Sequence, residues 1–246
     1  MIEFRDVAFS YNHGTVLQGI SFSARFSEKI AILGPSGEGK TTILRLILGL
    51  LRPDSGRILI DGTDITDLPE RELREFRTKF TIVFQEGALF DSLSVQENVV
   101  FCLRERRGMP EAEIEARARE LLRRVGIEEA IGLMPEELSG GMQRRAAIAR
   151  SLCSCEPVMM LYDEPTTGLD PAAADNICRL INDLSSGEPP ERKGIIIVTH
   201  DVAAAVKVAE RFLYLRAGRV VFDGDLSALK GTEDPGLREF IKGILK

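Results

Sequence analysis

Residues Gly34, Pro35, Ser36, Gly37, Glu38, Gly39, Lys40, Thr41 and Thr42 fit the pattern G-x-x-x-x-G-K-[ST] at every fixed position. Residue types at this spacing suit the cradling of phosphate. Glycines let successive backbone N–H groups turn inward without an obstructing Cβ. A helix starting behind the loop adds the positive end of its dipole. Lys40 is long enough to reach the β- and γ-phosphates of a nucleotide, and the Thr41 hydroxyl is a hard oxygen suited to Mg²⁺. Such a loop needs a strand before it and a helix after it. Residues 30–33 form an apolar run of strand length, and residues 43–48 are apolar at helical spacing.

Two further groups fit the same chemistry. Asp163 and Glu164 follow the apolar run 158–162, at the end of an expected strand. There Asp163 would hold Mg²⁺ through water, and Glu164 would orient or deprotonate an attacking water. Ser139, Gly140 and Gly141 precede a helix expected over 144–152. Ser139 can cap that helix, and the glycines leave its first amides open to an anion.

The surrounding chain has 246 residues, enough for one domain with a subdomain. Apolar residues make up 44% and charged residues 28%, which suits a globular protein with a sizeable core. The net charge of −6 argues against nucleic acid as a partner. No run approaches the roughly 18 apolar residues of a membrane span, and residues 1–6 lack the basic and apolar regions of a secretion signal. A cytosolic chain reaching a membrane through a partner is the expectation. Cys102, Cys153, Cys155 and Cys178 form no C-x-x-C pair and read as buried, reduced thiols.

Hydrophobic patterning gives the elements that must position these residues. Residues 2–7 and 20–26 alternate, predicting strands with one solvated face, with a turn at Asn12, His13 and Gly14. Further strands are expected at 57–60, 80–84, 195–198, 212–215 and 220–222, the last two as a hairpin. Residues 68–80 are charged at helical spacing, and helices are expected at 172–184 and from 201 to about 210. From about 86 to 155 the pattern is mostly helical, with a helix opening at Pro110 and Ala118, Leu121, Leu122 and Val125 on its apolar stripe. The polar loop 185–194 reads as exposed, and the tail 226–246 as helical but broken at Gly231 and at Asp234-Pro235-Gly236. The class is α/β: a parallel sheet covered on both faces, an N-terminal antiparallel β subdomain, and a helical subdomain inserted at about 86–155. Ligands of such sheets bind at the carboxyl ends of strands. Lys40, Gln85, Asp163, Glu164 and His200 all lie at or just past such ends.

The Ser139-Gly140-Gly141 run, after the Lys40 loop and before Asp163-Glu164, resembles the signature of the ATP-binding cassette family, and the resemblance covers nearly the whole chain. It implies one ATPase domain over 1–246 with a RecA-like core, ATP and Mg²⁺ as ligands, and roles for further residues. Tyr11 resembles the aromatic that stacks on adenine. Gln85 resembles the glutamine that touches Mg²⁺ and water and links the site to a membrane partner. Asp170, after Gly168 and Leu169, resembles the family's D-loop at the dimer seam. His200 resembles the switch histidine that contacts the γ-phosphate. The family sandwiches two ATP molecules between two subunits, the loop of one facing Ser139, Gly140 and Gly141 of the other. With one copy of each motif here, a homodimer is implied.

The segment 85–99 is expected to dock an integral-membrane permease. Its Gly87-Ala88-Leu89-Phe90 run, with Met142 after the glycine pair, resembles ATPases of Mla/Mce-type lipid transporters. Those work at the cytoplasmic face of the inner membrane, with a lipid-binding substrate protein and, in some, a small STAS-domain protein. Alternatives are an importer ATPase for amino acids or glycine betaine, or a soluble cassette ATPase acting on DNA or ribosomes. Glu38 departs from the small or apolar residues common at its position and brings a negative charge toward the phosphates.

Overall fold

The computed structural model describes residues 1–12, 14–85, 87–105, 108–153, 157–186 and 193–244. His13, Glu86, Cys155 and most of the polar loop expected at 185–194 lie outside the described residues.

The chain opens with strands β1 (Ile2–Tyr11), β2 (Gly14–Ala24) and β3 (Lys29–Leu33), then helix α1 (Lys40–Ile47). Next come β4 (Ser55–Ile60), β5 (Thr63–Asp64), α2 (Glu70–Arg77) and β6 (Phe80–Val83). Helices α3 (Val95–Glu105), α4 (Glu111–Val125) and α5 (Gly140–Cys153) follow. The chain continues through β7 (Met159–Asp163), α6 (Pro171–Ser185), β8 (Gly194–Thr199) and α7 (Val202–Val208). It closes with β9 (Arg211–Arg216), β10 (Arg219–Asp225), α8 (Leu226–Lys230) and α9 (Pro235–Ile241).

The alternating N-terminal runs form an antiparallel four-stranded sheet, ordered β2-β1-β4-β5. The continuous apolar runs form a six-stranded sheet, ordered β10-β9-β3-β8-β7-β6. In it β9, β3, β8, β7 and β6 are parallel neighbours, and β10 returns antiparallel to β9. Successive side chains of a strand face opposite sides, and this divides the apolar residues between two cores. Ile30, Ile32, Met159, Leu161, Ile196 and Val198 face α1 and the N-terminal sheet. Ala31, Leu33, Met160, Tyr162, Ile195 and Ile197 face α3, α4, α5, α6 and α7. Residues 30–33, 159–162 and 195–198, in the inner strands β3, β7 and β8, are apolar throughout because neither face of those strands meets water, whereas the edge strand β10 is partly exposed along its length.

Three expectations need correction. Phe80 belongs to β6, so the charged helix ends at Arg77. The helix carrying Ser139 begins at Gly140, placing both glycines in its first turn. The tail is helical and broken at Gly231 as expected, but Pro235 and Gly236 fall inside the second helix, because the Asp234 side chain accepts from the Leu237 N–H and Pro235 sits where no N–H partner is needed. Leu229, Leu237 and Ile241 are buried in the chain's own core, and Tyr214 packs on Phe240 at 5.0 Å, so the tail folds back on its own domain. Among the described residues no helix is long and apolar enough to cross a membrane.

Candidate functional site: a phosphate-binding cavity at the strand ends

Four parallel strands deliver the site. β3 leads into the glycine loop, β6 into Gln85, β7 into Asp163 and Glu164, and β8 into His200. Gly39, at the start of α1, has φ +94°, and a Cβ there would meet Leu17 Cδ2 at 2.7 Å and Val16 Cγ1 at 2.8 Å. Only glycine lets the loop lie this close to β2. A Cβ on Gly34 would likewise approach the Leu215 carbonyl oxygen to 2.5 Å. The loop encloses a cavity of about 320 Å³ lined by Tyr11, Val16, Ser36, Gly37, Gly39, Lys40, Thr41, Thr42, Gln85 and Glu164. Tyr11 is 40% exposed at its mouth, edge-on to Phe9.

Lys40 is buried, and its Nζ donates to the Gly34 and Pro35 carbonyls, at 2.9 Å each. The same ammonium lies 3.5 Å from Glu164 Oε1. Thr41 Oγ1 donates to Asp163 Oδ1 at 2.9 Å. Burial pushes the Asp163 carboxyl above its ordinary range, against the Thr41 bond and with the Glu164 charge adding to the rise. Glu164 turns out of β7 with φ +46°, a conformation L side chains rarely adopt. Its carboxylate accepts from Thr167 Oγ1 at 3.1 Å, Thr199 Oγ1 at 2.8 Å and the His200 N–H at 3.1 Å, and meets His200 Nδ1 at 3.0 Å. Burial raises the Glu164 carboxyl, but the His200 and Thr199 bonds, with the charges of His200 and Lys40, outweigh it and hold the group below its ordinary range.

The cavity is lined by the glycine loop, one ammonium and the start of α1, a combination suited to a triphosphate. Thr41 and Asp163 supply hard oxygens of the kind Mg²⁺ takes. Among the described residues no group of three or more His, Cys, Asp or Glu side chains could hold a metal ion alone. A pair of protein oxygens completed by substrate phosphates is how Mg²⁺ is ordinarily held in such sites.

Other expected residues stand apart from this cavity. Ser139 caps α5, accepting from the Met142 N–H at 3.3 Å, and both Ser139 and Gly140 are exposed. Asp170 caps α6, accepting from Ala172 at 2.9 Å and Ala173 at 3.0 Å. Glu38 does not line the cavity. Its carboxylate accepts from the Gly218 N–H in the β9–β10 turn at 3.2 Å, so its charge is directed at the hairpin.

The segment expected to dock a membrane partner is only partly available. Val95, Asn98 and Val99 are fully buried, and Asn98 is spent on Phe90, Leu93 and Ser94 of the same segment. Gln85, Ala88, Phe90, Asp91 and Ser92 remain exposed, and Phe90, 44% exposed, lies against Phe101 just beyond the segment, 39% exposed, with ring centroids 4.8 Å apart.

Several residues escaped the sequence reading. Thr167 and Thr199 hold Glu164, and arginines of α5 hold the loop after β6. Arg144 is buried and donates to the carbonyls of Phe84 at 3.1 Å, Gln85, and Thr167 at 3.4 Å. Arg150 donates to Gly87 at 2.8 Å and Ala88 at 2.6 Å and lies over the Phe90 ring. The available signal was an arginine on a helix face that must be covered; nothing in its spacing named the carbonyls.

Comparison with known proteins agrees with this geometry. The family described as ABC transporter matches residues 17–167. The intermembrane phospholipid transport system ATP-binding protein MlaF of Escherichia coli K12 is 37% identical over 246 residues, spanning 99% of this chain and 89% of that protein. The glutamine transport ATP-binding protein GlnQ of the same organism is 39% identical over 245 residues, spanning 99% of this chain and 100% of that protein. The dimeric, post-hydrolysis structure of the ATP-binding cassette MJ0796 bound to ADP and Pi superposes with a TM-score of 0.82 at 34% identity, covering 92% of this chain and 99% of that one. The loop, the strand-end acids and full-length similarity converge: this chain belongs to the ABC transporter family and is one of its ATPases.

Proposed function

We propose that this chain powers a transporter of phospholipids or related lipids, with Glu164 as the base that activates water for ATP cleavage. The observation that carries the catalytic reading is the convergence of Lys40, Thr41 and Glu164 on one cavity of about 320 Å³, with Asp163 hydrogen-bonded to Thr41 at 2.9 Å. Tyr11 stacks on the adenine, and the amides of Ser36, Gly37, Gly39 and Thr42 hold phosphate oxygens. Lys40 spans the β- and γ-phosphates. Thr41, Gln85 and Asp163 hold Mg²⁺, which when bound neutralises charge on the phosphates. Glu164 Oε1 takes a proton from water as the water oxygen bonds to the γ-phosphorus and the bond to the bridging oxygen of ADP breaks. His200 orients Glu164 and contacts the γ-phosphate.

Ser139, Gly140, Gly141 and Asp170 lie outside the cavity, which supports their service to a second copy of the chain, so that two cavities are completed across a homodimer. The relative that solved as a dimer with ADP and Pi supports this arrangement. The helices between 87 and 153 act as an inserted subdomain, with Phe90 and Phe101 toward a permease at the cytoplasmic face of the inner membrane. A lipid-binding substrate protein and a small STAS-domain protein complete the proposed assembly.

Identity alone does not separate a lipid from an amino-acid cargo, since the phospholipid and glutamine ATPases match equally well. The Gly87-Ala88-Leu89-Phe90 run supports the lipid reading. Purifying the complex from native membranes and identifying its subunits and bound small molecules by mass spectrometry tests it. A permease with phospholipid is the expected result; a permease with an amino-acid-binding protein would overturn the lipid reading.

A further inference from the structure

The two oxygens of Glu164 are not equivalent. Oε2 accepts from Thr199 Oγ1 at 2.8 Å and from Thr167 Oγ1 at 3.1 Å. Oε1 receives neither hydroxyl and lies 3.5 Å from Lys40 Nζ, on the side of the phosphate loop. His200 contacts both oxygens, through Nδ1 at 3.0 Å each and through its backbone N–H at 3.1 Å to Oε1 and 3.3 Å to Oε2, so it does not choose between them. The terminal torsion of a glutamate is broad and roughly two-fold. Without a fixed partner on one oxygen, the carboxylate would sample many orientations around the loop.

We propose that Thr199 is a positioning residue: its hydroxyl pins Oε2 of Glu164 and thereby presents Oε1 to the phosphate cavity. The inference rests on the reading of Glu164 as the base. Thr199 is well placed for this task. It ends β8, pairs in register with Leu33 at the root of the glycine loop, and is fully buried. Its hydroxyl oxygen accepts from the Asp201 N–H at 3.0 Å, at the capped start of α7. With that N–H on the oxygen, the hydroxyl hydrogen is directed to Glu164. A single rotamer therefore satisfies a helix terminus and orients a carboxylate. Thr167 braces the same oxygen from the loop after β7, less tightly, because it is half-buried.

A hydroxyl that only positions the base touches neither nucleotide nor metal. Its removal then lowers turnover and leaves nucleotide affinity alone. The test is steady-state ATP hydrolysis by the full-length chain, together with calorimetric binding of ATP without Mg²⁺. Thr199→Val is expected to lower kcat about tenfold, the loss of one hydrogen bond to a charged group, with KM and the ATP affinity within about twofold of the parent. Thr199→Ser, which keeps the hydroxyl, is expected to recover most of kcat. Thr167→Val is expected to lower kcat by a smaller factor, about threefold, and it carries the test should the buried valine variant fail to fold by circular dichroism. Parental kcat in a folded Thr199→Val, or in Thr167→Val if the former does not fold, would overturn the proposal. So would a Thr199→Ser variant as slow as Thr199→Val. Glu164→Gln run alongside separates the layers. If it is inactive while Thr199→Val is not, the positioning role alone falls; if it turns over normally, the reading of Glu164 falls with it.

Discussion

Thr41 Oγ1 and Asp163 Oδ1 are 2.9 Å apart, although 122 positions separate them in the chain. The contact joins the first helix after the glycine loop to the end of β7, and it sets two hard oxygens side by side, the Thr41 side chain lining the cavity. Asp163→Asn keeps the shape of this pair and removes its charge. We expect the magnesium dependence of ATP binding to weaken about 10- to 100-fold, with magnesium-free ATP binding unchanged. A titration of Mg²⁺ with an unaltered midpoint would contradict the assignment.

Lys40 contributes differently. Its ammonium is satisfied by loop carbonyls and Glu164 and is buried with them. A charge-assisted bond to phosphate is worth about 1.5–3 kcal/mol, so Lys40→Ala should weaken Mg-ATP binding roughly 10- to 150-fold. Isothermal titration measures it directly, and unchanged affinity would remove Lys40 from the phosphate site.

Arg144 makes a prediction about stability. Its guanidinium serves the carbonyls of Phe84, Gln85 and Thr167, and Arg144→Met leaves all of them without that donor. Abandoning buried acceptors costs about 1–3 kcal/mol, roughly 2–12 °C in Tm for a domain of this size. Thermal unfolding at an unchanged Tm would show that water replaces the guanidinium without loss.

These residues mark where the sequence was legible. The glycine loop was readable because its chemistry demands fixed residue types at fixed spacing, and its flanking strand and helix announced themselves by period. The strand ends were readable because a run buried on both faces is apolar throughout, so Gln85, Asp163, Glu164 and His200 stood out as chemistry-bearing side chains at or just past the ends of such runs. Thr167, Thr199 and Arg144 were not readable. A threonine hydroxyl or an arginine on a helix acquires its role from what the folded chain brings within hydrogen-bond reach of it, and local patterning carries no trace of that distance. Glu38 shows the same limit, since only the approach of the β9–β10 turn reveals where its charge goes. The docking segment shows it too: sequence alone does not tell its buried Val95, Asn98 and Val99 from its exposed Gln85, Phe90 and Asp91.

The tail offers a test of its own. Asp234 pairs with Arg216 through both guanidinium nitrogens at 2.9 Å and caps α9. Arg216 holds the Asp234 carboxyl below its ordinary value of 3.8, so this support is complete above that pH and is lost as pH falls through the lowered value. At neutral pH, Asp234→Ala should speed amide exchange of residues 237–241 roughly tenfold while leaving exchange in β3 and β8 unchanged. Equal protection of α9 in both proteins would show that Leu237 and Ile241 hold the tail without the ion pair.

The most direct measurement is the behaviour of Glu164→Gln with Mg-ATP, followed by light scattering for mass and by phosphate release for turnover. A particle of twice the chain mass that forms only with ATP and releases no phosphate is the predicted result. A variant that stays at the mass of one chain, or releases phosphate at the parental rate, would contradict the account.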